Sequence, residues 1–425
     1  MELFGAVNHP THHQHYWFPN QTSHGGLWQT TFKLNMKTKS DNYPIPNTYS
    51  RLAQMHGARV FSKFDLYKGF WQIPLAEGSK EFTAFITSLG LFEFNVLPMG
   101  LKTSSSTFQR MMDTVLLGLI DHGVLVYLDD ILIYAKDVDE LMELTEKVFQ
   151  RLSDANLHMK ATKCSIAMDS IDFLGFNVSK DGIHPINNKV KSISYIKAPR
   201  NVRQLRRFLG IMSYYRNFIP NFSSLAASLN QLLKRGGVFN WQTEQQQAFE
   251  SLKEAPVQDV VLAHPDMTQP FVIFTDASNY GVGAVLVQNS RPIWFASRSL
   301  TPLERKYDTR EKEAIGVRFG LDKFKPYYYP NHVTVFNDHG NLRWLMHHNQ
   351  IGRLARWQLD LQQYDFTISF VRGINNPVAD ALSRDIDNQV QLMAMTRSRA
   401  KKLRPEEQKE DHALKMFALG IQWEK

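Results

Sequence analysis

Apolar residues along this chain gather into short continuous or alternating runs punctuated by Gly, Pro, Asn and Asp, with longer amphipathic stretches between them, a pattern that predicts mixed α and β structure. The sharpest run, Val124-Leu125-Val126-Tyr127-Leu128-Asp129-Asp130-Ile131-Leu132-Ile133-Tyr134, sets two adjacent carboxylates between apolar stretches. Read as strand, tight turn and strand, it buries both stretches and holds the two acids at the tip, where something cationic must meet them. Upstream, Phe61 to Pro74 is another apolar strand that delivers an acid, Asp65, followed by Gly69 and the aromatics Phe70 and Trp71. The Ser/Thr cluster from Thr103 predicts a capped amphipathic helix running through Met112. A second such helix is predicted over Val138 to Asn156, with Leu141, Leu144, Val148, Phe149 and Leu152 near helical spacing. Ile171 to Val178, followed by Ser179-Lys180-Asp181-Gly182, reads as a strand and a Gly turn. From Asn187 the pattern becomes helical and basic. Further on, Phe271-Val272-Ile273-Phe274-Thr275-Asp276 is a strand ending in an acid, and the period-two alternation of Tyr280 to Val287 suggests its antiparallel neighbour.

Length changes the picture first: 425 residues imply two or three domains, and a hydrophobic content of 43% with 12% aromatics is ample for real cores. The net charge of +8 favours a polyanionic partner. The single cysteine, Cys164, excludes an internal disulfide and any Cys-based zinc site, suits a reducing compartment, and is expected to be buried near the strand after it. No run approaches the 18 or so apolar residues of a membrane span, and no signal-peptide core is visible at the start. No fixed-period repeat is present.

The chemistry begins with the paired acids. Hard oxygen ligands suit Mg²⁺, which takes one or two carboxylates plus substrate phosphates rather than a full protein cage, so phosphoryl transfer is the first hypothesis. An Asp-Asp hairpin turn is also common in its own right, and this run alone fits either reading. Arg200, Arg203, Arg206, Arg207 and Arg216, interleaved with Phe208, Tyr214, Tyr215 and Phe218, fit a phosphate-tracking surface or a solvated basic helix face. Met1 to Thr30 carries His9, His12, His13, His15 and His24 with Trp17 and Trp28; a metal-binding tract is one reading, and a disordered or mis-joined leader is preferred for want of regular ligand spacing.

These blocks, together with Phe92-Glu93-Phe94-Asn95-Val96-Leu97-Pro98-Met99-Gly100 and in this order, resemble the reverse transcriptase of gypsy-type LTR retrotransposon Pol polyproteins, from about Leu34 to Arg384. The resemblance implies an α+β polymerase with palm and thumb and incomplete fingers, followed by an RNase H-like α/β domain with a mixed sheet. Its expected boundaries are an unmatched leader over 1–33, palm and partial fingers over 34–180, thumb and linker over 181–262, the RNase H-like domain over 263–385 and a charged spacer over 386–425. In the polymerase, Asp65 and Asp129 are implied to hold two metal ions, the Leu66 carbonyl to complete one shell and Asp130 to support the site. Phe70 stands at the family's steric-gate position and Met99 against the incoming base. Arg203, Arg206, Arg207 and Arg216 are the implied nucleic-acid contacts. In the second domain, Asp276, Glu313, Asp338 and Asp380 are implied to bind a further pair of ions. Glu311 competes with Glu313, but two residues turn a helix by about 200°, so only one of them can face the site.

The implied activity is RNA-directed DNA polymerase with RNase H cleavage of RNA/DNA hybrids. Mg²⁺ is implied at two ions per site, with Mn²⁺ as the substitute. Its implied partners are RNA and DNA template-primers, dNTPs and the other Pol and Gag products, with no membrane; the expected location is cytoplasmic element particles or the nucleus. Family members carry a basic fingers block before the position of Leu34, and no such motif precedes it here, so the alternative is an impaired or domesticated remnant that binds nucleic acid without turnover. A telomere-type or intron-type polymerase is disfavoured by the attached RNase H motifs. With no integrase or protease motif in view, the chain reads as a piece of a longer polyprotein.

Overall fold

The computed structural model describes residues 4–6, 25–46, 51–220, 222–234, 239–257, 260–339, 342 and 353–370, and structural statements concern these. The chain forms two compact units, 1–174 and 175–425.

In the first unit, β1 (Phe4–Ala6) and α1 (Gly25–Lys37) precede β2 (Val60–Asp65), the β3 (Phe85–Thr87) and β4 (Gly90–Phe94) hairpin, and α2 (Ser104–Val115). Then follow β5 (Val124–Tyr127), β6 (Asp130–Ala135), α3 (Val138–Asp154), β7 (Ser165–Met168) and β8 (Ser170–Phe173). The central sheet has the order β5-β6-β2-β7, and a smaller one has the order β1-β4-β3. Phe64, Leu66, Val124, Val126, Ile131 and Ile133 from the central sheet meet Phe108, Met112 and Leu116 of α2 and Leu141, Val148 and Leu152 of α3 in one buried core. α3 begins where expected because the Asp137 carboxylate accepts the Glu140 N–H at 2.9 Å. α2 starts differently: Thr103 makes no side-chain cap, and Ser104 Oγ instead donates to the Pro98 carbonyl at 2.8 Å, tying the helix to the loop before it. Cys164 is only half-buried, its thiol 3.3 Å from the Lys160 carbonyl.

In the second unit, the hairpin of β9 (Phe176–Ser179) and β10 (Gly182–Pro185) leads into α4 (Asn187–Ser194), α5 (Val202–Tyr214) and α6 (Thr243–Glu254). The mixed sheet follows: β11 (Phe271–Ala277), β12 (Gly281–Gln288), β13 (Arg291–Ser299), then α7 (Thr309–Tyr328), β14 (Val333–Asn337), α8 (Arg353–Leu361) and β15 (Phe366–Phe370). Its order is β13-β12-β11-β14-β15, antiparallel among the first three strands and parallel from β11 to β15. The helical segment is bound to this sheet within the same unit: Arg216 donates to the Ser297 carbonyl at 2.7 Å, and the Ser223 N–H to Ser297 Oγ at 3.0 Å.

Candidate active sites

In the first unit, β2 and β6 run antiparallel with Asp65 opposite Asp130. Tyr127 pairs with Asp130, so only Leu128 and Asp129 form the turn. The two acids expected at the tip therefore separate: Asp129 crowns the turn and Asp130 is already in the strand. Leu128 takes the left-handed conformation at φ 53°, which a branched residue adopts only when its surroundings impose it. Fully buried Gln109 of α2 does so by accepting the Leu128 N–H at 2.9 Å. Gln109 in turn donates to Asp113 at 2.9 Å, and Asp113 accepts the Tyr43 hydroxyl at 2.6 Å. On the other side, the Leu66 N–H donates to the Asp129 carbonyl at 3.2 Å, so the ends of β2 and the turn are fastened together.

Two lysines hold the charge of this site. Lys163 lies 2.9 Å from Asp65 Oδ2 and Lys63 lies 3.0 Å from Asp130 Oδ1. The carboxyl of Asp129 is pushed up by burial first and then by the nearby charges of Asp130 and Asp65. Buried Leu66 follows Asp65 directly. Half-buried Phe70 packs on Phe108 with ring centroids 5.1 Å apart. Gly69 makes that approach possible, because a Cβ there would stand 2.9 Å from Phe108 Cζ and 3.1 Å from Asp129 Cβ. Met99 is exposed in the loop between β4 and α2. Gln109, Lys63 and Lys163 escaped the sequence reading. The spacing of Gln109 on an amphipathic helix gave a signal, but a lone Lys gives none.

In the second unit, parallel pairing of β11 with β14 sets Phe274 beside Phe336, so counting two residues along each strand brings Asp276 level with Asp338. α7 crosses β11 closely: a Cβ on Gly320 would lie 2.9 Å from Thr275 Cγ2, and one on Gly316 3.5 Å from the Asp276 carbonyl. That approach delivers Glu313, one turn earlier, to the strand ends. Asp276, Glu313 and Asp338 each present an oxygen within 4.8 Å of the others, and theirs is the group of three close potential ligands found among the described residues. Asp276 and Glu313 are buried. Burial, and then the charges of Asp276 and Asp338, raise the Glu313 carboxyl to about 8. Its hydrogen bonds come from neutral donors, the Asn337 amide at 2.9 Å and the Ala277 N–H. Glu311 is directed elsewhere, completing the N-terminal cap with Asp308 and pairing with Arg353 at 2.9 Å. Asp380 lies outside the described residues. Three crowded carboxylates are a hard-oxygen donor set, the chemistry of a Mg²⁺- or Mn²⁺-type ion.

Arg203, Arg206 and Arg207 are exposed on α5, whose opposite face buries Leu205, Phe208, Leu209 and Met212. Arg216 lies past its end, over the Phe222 ring at 5.4 Å, and donates to β13 as described. Among the described residues no helix is long and apolar enough to cross a membrane.

Residues 26–178 match the family described as reverse transcriptase (RNA-dependent DNA polymerase), and residues 266–364 match the RNase H-like domain found in reverse transcriptase. The chain is 40% identical over 354 residues to the retrovirus-related Pol polyprotein from transposon 297 of Drosophila melanogaster, covering 83% of this chain and 33% of that protein. It is 36% identical over 373 residues to the corresponding polyprotein from transposon gypsy of the same species, covering 84% and 36%. It thus spans about a third of the length of these relatives. Among solved structures, the foamy viral protease-reverse transcriptase in complex with RNA/DNA hybrid aligns with a TM-score of 0.69 at 23% identity, covering 83% of this chain and 48% of that one, a likeness of fold.

Proposed function

The chain carries the reverse transcriptase and RNase H-like domains of LTR-transposon Pol polyproteins, and on that premise we propose that it extends DNA on RNA and DNA templates and cleaves the RNA strand of RNA/DNA hybrids. The observation that carries the proposal is the gathering of Asp276, Glu313 and Asp338, distant in sequence, at the ends of parallel strands and a crossing helix. Such repulsion is tolerable in a site that is filled by cations when it works. The Asp65 and Asp129 arrangement supports the same chemistry in the first unit. A bound pair of divalent ions supplies charge neutralisation on the phosphate and a more acidic hydroxyl or water.

The rest is the work of the chain's own residues. Asp276, Glu313 and Asp338 hold ions at the nuclease site, with Asp380 as the proposed fourth ligand. Asp65 and Asp129 hold them at the polymerase site, with the Leu66 carbonyl beside them and Asp130 as support. Phe70, backed by Phe108, presses on the sugar of the incoming nucleotide, and Met99 borders its base. Arg203, Arg206 and Arg207 grip the phosphates of the template-primer.

A second reading is favoured, for the polymerase half alone, by the lysines that already neutralise Asp65 and Asp130: that half holds nucleic acid without turnover. The deciding experiment is primer extension and hybrid cleavage with Mg²⁺ on the same preparation, beside Asp129→Asn and Asp276→Asn. Extension lost only in the first variant and cleavage lost only in the second are expected. Cleavage unchanged by Asp276→Asn overturns the nuclease assignment, and absence of extension in the unaltered chain selects the second reading.

A further inference from the structure

Asn337 ends β14 immediately before Asp338 and is buried to 1% exposure, an uncommon place for an amide. Every polar atom of its side chain is engaged. Its Nδ2 donates to Glu313 Oε2 at 2.9 Å, to the Thr275 carbonyl at 3.1 Å and to Thr275 Oγ1 at 3.2 Å. Its Oδ1 accepts the His339 N–H at 2.8 Å. One side chain therefore touches the helix that carries Glu313, the strand residue before Asp276, and the loop that follows Asp338.

Resting on the nuclease reading above, we propose that Asn337 is a positioning residue for that site: its amide fixes the Glu313 carboxylate and its carbonyl fixes the Asp338 loop, so that the three ligands are presented at a set spacing. The geometry gives the amide a preference that bulk alone would not. An N–H donor on Oε2 holds the Glu313 carboxylate in one orientation, and the same amide faces Thr275 only if Oδ1 faces His339. Hydrogen bonds of this outer kind are typically worth about 10- to 100-fold in metal affinity or activity.

The test uses the full chain. Mn²⁺ binding is followed by electron paramagnetic resonance, and hybrid cleavage is followed as a function of Mn²⁺ and of hybrid concentration. Asn337→Leu keeps similar bulk and removes every hydrogen bond. Asn337→Thr keeps one hydroxyl, which can serve Thr275 or Glu313 but not both. The expected order of Mn²⁺ affinity at the nuclease site is Asn above Thr above Leu, with about a tenfold loss in the Leu variant and an unchanged KM for the hybrid. Leu binding Mn²⁺ as tightly as the unaltered chain overturns the proposal, as does Thr doing so should Leu fail to fold by thermal melting. A loss confined to KM also overturns it. Failure of the underlying nuclease reading is distinguishable, because Asp276→Asn would then leave both Mn²⁺ binding and cleavage untouched.

Discussion

The two groups of acids in this molecule solve the same electrostatic problem in opposite ways. The acids of the RNase H-like domain are packed within 4.8 Å of one another, two of them buried, with Glu313 receiving neutral donors and raised to about 8. The acids of the reverse transcriptase domain are partly buried, and Lys163 and Lys63 lie against two of them. One site stores repulsion that a bound cation would relieve. The other carries tethered cations of its own, with which an incoming ion would have to compete. The difference follows from architecture: parallel strand ends under a close-packed helix bring the acids together with neutral donors on Glu313, whereas the antiparallel hairpin leaves room for two lysine side chains.

The strongest way to break the comparison is to remove one site at a time. Asp276→Asn is expected to lower hybrid cleavage by about 10³-fold, the several kcal/mol that metal-assisted charge stabilisation supplies, and to leave primer extension intact. Asp129→Asn is expected to do the reverse. Single-turnover rates on labelled hybrid and labelled primer check both, and a variant that disables both activities would mean that the two sites are not independent.

The pH response should differ next. Glu313 has a higher pKa folded, about 8, than the 4.5 of an unperturbed carboxyl. A carboxyl raised in this way contributes its full stability below the unfolded value, and the contribution is lost as pH climbs through the folded one. Metal-free protein is therefore expected to lose stability between pH 4.5 and 8, by an amount of order a few kcal/mol at about 1.4 kcal/mol per unit. Divalent cation is expected to restore it at high pH, since binding replaces the proton. Thermal melting at pH 6 and pH 9, with and without Mg²⁺, measures this; Glu313→Gln should flatten the dependence, and a chain that melts identically at both pH values without metal would place the stored repulsion elsewhere.

A smaller effect probes the hairpin. Gln109→Leu leaves the Leu128 N–H without its acceptor in a buried setting, a cost of about 1–3 kcal/mol. Loosening of the left-handed turn should slow primer extension about tenfold, with hybrid cleavage unchanged. Extension at the unaltered rate would show that β5 and β6 hold the turn without α2.

Much of this was legible in the sequence because it depends on pattern. The apolar strands that lead to Asp65, Asp129 and Asp276 form as read, α3 begins at Val138 as its periodicity requires, and the 200° argument separates Glu313 from Glu311, which the structure turns toward Arg353. What escaped depends on contacts between distant segments. The turn register that moves Asp130 off the tip is set by pairing with Asp65. The Thr103 cap is displaced because Ser104 finds the Pro98 carbonyl, a tertiary choice that local preference does not encode. The hydrogen bonds of Asn337 likewise form only once β11, β14 and α7 are brought together.

The finest test concerns Lys163. It reaches Asp65 from the segment between α3 and β7, and Asp65 in turn raises its pKa through the hydrogen bond and the paired charge. The lysine side chain is 55% exposed, so solvent screens the pair and its worth to folding is slight. Its effect on ligand binding is another matter, because a divalent ion and an ammonium group compete for the same carboxylate oxygens. Lys163→Met keeps the stem and removes the charge. Mn²⁺ affinity at the polymerase site should then rise a fewfold, most clearly at low ionic strength where the ammonium competes best, while affinity at the nuclease site stays fixed. Electron paramagnetic resonance titration in an Asp276→Asn background isolates the change. Equal affinity with and without the lysine would mean that Asp65 binds its ion through oxygens the ammonium does not occupy, and the contrast between a site that waits for cations and one that carries them would reduce to burial alone.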